Sequence, residues 1–109
     1  MEKFIKGDVV VIPFPFTDLS NVKRRPCLVI AELIGDDIIL CQITSRKEAI
    51  PYSISLSDAD FENGQLNVNS LIRPNRIFTA DKNTIIRKVG TLNKTKLEEV
   101  RNKLFELFS

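Results

Sequence analysis

Short apolar runs separated by turn residues fill most of this chain, and apolar residues fall into helical spacing only once, at its end. That pattern limits the fold more than any single motif does. Val9-Val10-Val11-Ile12 is β-branched, follows Gly7-Asp8, and reads as a strand. Residues 13–21 hold Pro13 and Pro15, which cannot donate to a ladder, and read as a loop. Residues 27–33 form a second strand, Gly35-Asp36-Asp37 a turn, and residues 38–43 a third strand. Tyr52-Ser53-Ile54-Ser55-Leu56 alternates polar and apolar residues, as a half-buried strand does. Residues 57–69 are polar, with Asn63-Gly64 as a turn. Residues 70–79 form a further strand interrupted at Pro74, and residues 85–89 a short one.

From Asn93 onward the period changes. Leu97, Val100, Leu104, Phe105 and Phe108 recur at i, i+3, i+7, i+8 and i+11, which predicts a helix with one apolar stripe. Asn93 is a candidate cap, and Thr95 with Glu98 offers a capping box two residues later. The stripe is expected to be core, because a small barrel needs a lid. Several short strands and one terminal helix describe a mainly β, mostly antiparallel barrel with a helix packed on it. With 109 residues the chain is expected to form a single domain, 1–109.

Composition narrows the function classes. A net charge of +2 does not by itself imply a nucleic-acid partner. Its placement says more: Lys23, Arg24 and Arg25 form one block, Arg46-Lys47 another, and Arg73 and Arg76 a third. No apolar run approaches the ~18–20 residues a membrane helix needs, and no signal-peptide core follows Met1. A cytoplasmic protein without membrane partners is expected. Cys27 and Cys41 lie inside apolar runs and read as buried thiols. With no histidine and no cysteine at metal spacing, neither a metal nor another cofactor is expected.

The cationic block opens one strong apolar strand, and Gln42-Ile43-Thr44-Ser45-Arg46 closes the next. If Gly35-Asp36 is a two-residue hairpin loop, Cys27 faces Thr44 and Arg25 faces Arg46. Residues directly opposed or two apart on a strand share a face, so Arg25, Thr44 and Arg46 would lie together. A one-residue change in the turn would reverse this. Arginine grips two phosphate oxygens with a planar fork, and a hydroxyl donates a further bond. RNA cleavage asks little more. The ribose 2′-OH is an internal nucleophile, which the enzyme must orient while neutralising charge on phosphorus. Phe14, Phe16 and Tyr52 could stack exposed bases, or the phenylalanines could be core. The same cations on a solvated face would carry no chemistry, Thr44 and Ser45 would then be turn residues, and Arg73 and Arg76 a surface bend.

The order of these pieces resembles the MazF/PemK toxin family of bacterial toxin–antitoxin systems, which are mRNA endoribonucleases. The resemblance runs from Gly7-Asp8-Val9-Val10 through Arg24-Arg25-Pro26-Cys27-Leu28-Val29-Ile30, Ile43-Thr44-Ser45, Ser70-Leu71-Ile72-Arg73, Ile77-Phe78-Thr79-Ala80-Asp81 and Lys88-Val89-Gly90-Thr91-Leu92 to the closing helix. It implies an SH3-like barrel, a homodimer, and metal-independent cleavage of single-stranded RNA that leaves a cyclic phosphate and a 5′-hydroxyl. It carries the catalytic arginine onto Arg25 and the catalytic threonine onto Thr44. Lys23, Arg24, Phe16, Ser45, Arg46, Arg73 and Asn75 are the accompanying RNA-binding candidates. Asn75 stands where one branch of the family has an aspartate, and Phe78 where the family usually has an arginine. A small antitoxin with an acidic tail is the implied protein partner. Two other functions remain open from sequence. One is a gyrase-poisoning toxin of similar fold, which works through a C-terminal tryptophan that this chain lacks. The other is a non-catalytic nucleic-acid-binding module.

Overall fold

The computed structural model of the chain describes residues 3–15, 22–45, 48 and 50–109. It contains seven strands in one antiparallel sheet: β1 (Asp8–Pro15), β2 (Val22–Glu32), β3 (Asp37–Thr44), β4 (Ile54–Leu56), β5 (Phe61–Gly64), β6 (Ser70–Asp81) and β7 (Arg87–Leu92). Their spatial order is β4-β6-β3-β2-β1-β7-β5. A single α-helix, α1 (Lys94–Leu107), closes the chain.

The sheet must curl, because its two edges and its centre share one core. Leu28 of β2, Ile43 of β3, Ile54 and Leu56 of β4, Ile72 of β6 and Leu92 of β7 pack in a single buried cluster with Val100 of α1. The alternate residues of the central strands, Val10, Cys27, Val29 and Leu40, form a second cluster on the opposite face. Phe4, Phe78 and Ile85 pack against it. A period of two, read on both faces of β1, β2 and β3, explains why these strands are nearly continuous in apolar residues. The fold is therefore mainly β, a small curled antiparallel barrel with a C-terminal helix, as expected.

Gly7 and Asp8 tie the start of β1 into place. Gly7 adopts φ +99°, a conformation that side chains resist, and its N–H donates to the Val29 carbonyl at 2.9 Å. Asp8 is wholly buried. Its carboxylate accepts from the Ile5 N–H at 2.9 Å and the Thr91 hydroxyl at 2.9 Å, with Lys88 Nζ at 3.9 Å.

Several expectations need correction. β1 continues through Pro13, Phe14 and Pro15, which pair with Arg24, Lys23 and Val22. Proline is tolerated there because β7 pairs with β1 only as far as Val11, so the other flank asks for no N–H. Lys23, Arg24 and Arg25 accordingly lie within β2, which starts five residues before the expected strand of residues 27–33. Tyr52 is not in β4; at φ +67° it occupies a turn. Residues 61–64 are not merely polar turn. They form an edge strand whose Gly64 lies against Gly90 of β7, so closely that a Cβ on Gly90 would stand 2.4 Å from the Asn63 carbonyl.

The helix starts one residue after Asn93, whose side chain accepts from the Lys96 N–H at 2.8 Å. Thr95 and Glu98 thus fall inside the helix rather than at its cap. Val100 is buried and Leu104 packs against the same cluster, but Phe105 and Phe108 are each 78% exposed, so the apolar stripe is core only as far as Leu104. Lys96 is the unexpected buried residue of α1. Its ammonium donates to the Ser55 carbonyl at 2.9 Å and to Glu99 at 2.9 Å, which anchors the helix to β4.

Candidate functional site

The β2–β3 hairpin sets the geometry of the site, and it departs from the expected register twice. Its loop has three residues, Ile34, Gly35 and Asp36, with the Leu33 N–H donating to the Asp37 carbonyl at 3.2 Å. Glu32 therefore faces Ile38. A bulge between Val29 and Ala31 then shifts the pairing by one more, so that Cys27 faces Gln42 and not Thr44. Each shift alone would reverse the faces; together they restore them. Continued by two residues, the register sets Thr44 across from Arg25. The two share a face, as expected, and stand closer in register than expected.

Arg25, Gln42, Thr44 and Arg73 form one patch across three neighbouring strands. Gln42 opposes Cys27 on one side and Arg73 on the other. Thr44 is buried, and Arg25 and Arg73 are half-buried with their Nε atoms inside the protein surface. Partial burial limits the rotamers that these long side chains must give up on meeting a ligand. The charge of Arg25 is felt by its neighbour two residues on. Burial pushes the Cys27 thiol from 9.0 up to about 12, and Arg25 works in the opposite direction. Cys41, pushed up to about 12 by burial, belongs to the other core cluster. Both thiols are free, and they point to opposite faces of the sheet.

A cavity of about 540 Å³ opens beside this patch, where the inner core reaches one end of the barrel. Of the residues expected from sequence, Lys23, Arg24, Arg25 and Ser45 line it. Its floor is apolar, from Val11, Pro26, Ile43 and Val89. Arg87 adds a fourth cation, and no carboxylate lines it among the described residues. Such a one-signed concave surface concentrates anions. A second cavity, of about 550 Å³, lies on the other side of the patch, reached by Gln42, Arg76 and Phe78.

Arg73 lies in the patch but does not line the first cavity. Asn75 is exposed in a bulge of β6, where pairing jumps from Arg73 to Ile77 while β3 advances only from Gln42 to Cys41. Buried Pro74 anchors that bulge, which accounts for the strand interruption expected at this proline. Phe16 and Arg46 lie outside the described residues, as does the side chain of Phe14. Tyr52 is exposed and lines neither cavity.

Gln42 was missed in the sequence although its signal was present, since it stands two residues before Thr44. Arg87 had no such signal. It reaches the site through the pairing of β7 with β1, which joins residues far apart in the chain.

The fold is that of a small β-barrel protein with a cationic patch at the end of its central hairpin. The chain belongs to the PemK-like, MazF-like toxin family of type II toxin–antitoxin systems, whose profile matches residues 5–108. No curated protein sequence matches it significantly. Among solved structures it is similar to a mycobacterial endoribonuclease in complex with its cognate antitoxin, with TM-score 0.77, 13% identity, and 97% and 95% of the two chains covered. It is also similar to the MazE–MazF complex of Deinococcus radiodurans, with TM-score 0.76, 22% identity, and 95% and 94% covered. The Mycobacterium tuberculosis toxin MazF-mt6 matches with TM-score 0.71, 16% identity, and 93% and 95% covered. At these identities the likeness establishes the fold.

Proposed function

We propose that this toxin is an endoribonuclease that cuts single-stranded RNA at the Arg25–Thr44 patch. The observation that carries the proposal is the convergence of Arg25, Gln42, Thr44 and Arg73 on one face, beside a cavity lined by four cations and, among the described residues, no carboxylate. Family membership and the endoribonuclease names of its structural neighbours agree with it.

In this reading the 2′-oxygen attacks the adjacent phosphorus, the bond from phosphorus to the 5′-oxygen breaks, and a cyclic phosphate and a 5′-hydroxyl result. The 2′-OH gives up its proton and the departing 5′-oxygen takes one. Arg25 holds the non-bridging oxygens with its guanidinium fork and stabilises their growing charge, while the Thr44 hydroxyl donates to the same group. Arg73, across from Gln42, adds a second cation. Lys23, Arg24, Ser45 and Asn75, with Phe16 and Arg46, are the residues that bind the RNA around the cut. The reaction uses an internal nucleophile and needs no metal.

The partners follow from the same surface. The chain acts as a homodimer, and an antitoxin with an acidic tail covers the patch, competing with RNA for the same cations. Raised salt should then weaken both complexes together. The chemistry is tested by incubating purified protein with a long single-stranded RNA in EDTA. New ends carrying a 5′-hydroxyl are expected, and equal cutting of single and double strands or a strict need for magnesium would refute the proposal.

A further inference from the structure

We infer that the cavity at the end of the barrel seats the nucleobase beside the scissile phosphate, and that Arg87 reads it as guanine. The inference deepens the RNA-cleaving reading and rests on it.

Arg25 forms part of the cavity wall, so an occupant lies next to whatever phosphate Arg25 holds. A volume of about 540 Å³ is that of a small-ligand pocket and takes one base with some water. Apolar Val11, Ile43 and Val89 suit one face of a base, and among the described residues no aromatic side chain lines the space. Aliphatic contacts of this kind discriminate little among base faces, and the choice among bases falls to hydrogen bonds at the base edge.

The backbone of the rim is braced on both sides, and the exposed Arg87 side chain extends from it. The Leu66 and Asn67 N–H groups both donate to Asp58 Oδ1, at 3.0 and 3.1 Å, and Asn67 holds φ +66°. Asp58 is itself set by a capping box between Ser57 and Asp60. Arg87 projects from β7 opposite Val11, with its backbone steadied by the Ile86 N–H donating to the Val11 carbonyl at 2.8 Å. A guanidinium donates two parallel bonds and accepts none. Guanine is the base that offers two adjacent acceptors, O6 and N7, to such a fork.

The test sequences the 5′-hydroxyl ends that wild-type protein and the Arg87→Ala and Arg87→Lys variants release from a random RNA pool. Guanine is expected within one nucleotide of the wild-type cut. Both variants should cut guanine-containing RNA roughly 10- to 100-fold more slowly and lose the preference at that position alone. A uniform loss over all sequences, with a shallower salt dependence, would make Arg87 a phosphate contact and overturn the inference. So would an unchanged preference, or a wild-type preference for another base at both flanking positions.

Fluorescence anisotropy with oligonucleotides that lack the reacting 2′-OH separates this inference from the one beneath it. Replacing guanine by 7-deazaguanine, which removes N7, should weaken binding to wild-type protein and leave Arg87→Ala unaffected. A protein that cuts no RNA yet shows this difference refutes the catalytic reading only. One that cuts RNA and shows no difference refutes the base site only.

Discussion

Asp8 should be worth more to stability than any other single carboxylate in the described structure. Asp8→Ala removes the acceptor of the Ile5 N–H and of the Thr91 hydroxyl. A buried donor left without a partner costs about 1–3 kcal/mol. Ile5 is 44% exposed, so water can reach its N–H and the lower end applies, while Thr91 is half-buried and falls nearer the middle. The attraction to Lys88 at 3.9 Å adds about 0–1 kcal/mol, since that side chain is a third exposed. The sum is about 3 kcal/mol, a large share of the ~5–15 kcal/mol that holds a domain together. Asp8→Asn keeps one acceptor and should lose about half as much. Urea unfolding measures both, and with a slope of about 1–3 kcal/mol per molar the Ala variant's midpoint should fall by at least about 1 M. In Thr91→Val, Asp8→Ala should cost about 2 kcal/mol less, because that partner is already gone. A loss below about 1 kcal/mol for Asp8→Ala, or equal losses with and without Thr91, would refute this reasoning.

Two further outcomes follow. Folded protein at pH 8 should leave both cysteines unreacted with a thiol reagent, and denatured protein should expose both. Because the folded thiols hold their protons up to about 12 against an ordinary 9.0, their contribution to stability is intact below pH 9 and is lost as the pH rises toward 12. Urea midpoints measured across that window should fall, and a flat profile would contradict it. Phe105→Ser and Phe108→Ser should each change stability by less than about 0.5 kcal/mol, because both rings face solvent; a loss above about 2 kcal/mol would place them in a core.

The barrel was legible in the sequence because strands and turns announce themselves locally. Residues 9–12, 27–32 and 38–43 lie in strands, and the helix was evident from Asn93 and Val100. What escaped is set by distant partners. Pro13 and Pro15 look like loop residues until β7 is seen to stop at Val11, and residues 61–64 look like a turn until Gly90 is found against Gly64. Phe105 and Phe108 keep the helical period past the point where the barrel ends, so spacing alone overstates the core. The patch survived an incorrect hairpin loop because the three-residue turn and the bulge between Val29 and Ala31 offset each other. Arg25 and Thr44 were thus placed on one face through an alternation that holds under a two-residue shift. Arg87 depends on a strand pairing that no local pattern reveals.

The most direct measurement is the single-turnover rate of RNA cleavage by wild-type, Arg25→Ala and Arg25→Lys proteins, each with the same urea midpoint. If Arg25 stabilises charge on phosphorus, Arg25→Ala should be slower by about 10²–10³. Arg25→Lys, which keeps the charge but not the fork, should recover only part of that loss. Cleavage by Arg25→Ala at the wild-type rate would contradict the catalytic assignment at its root.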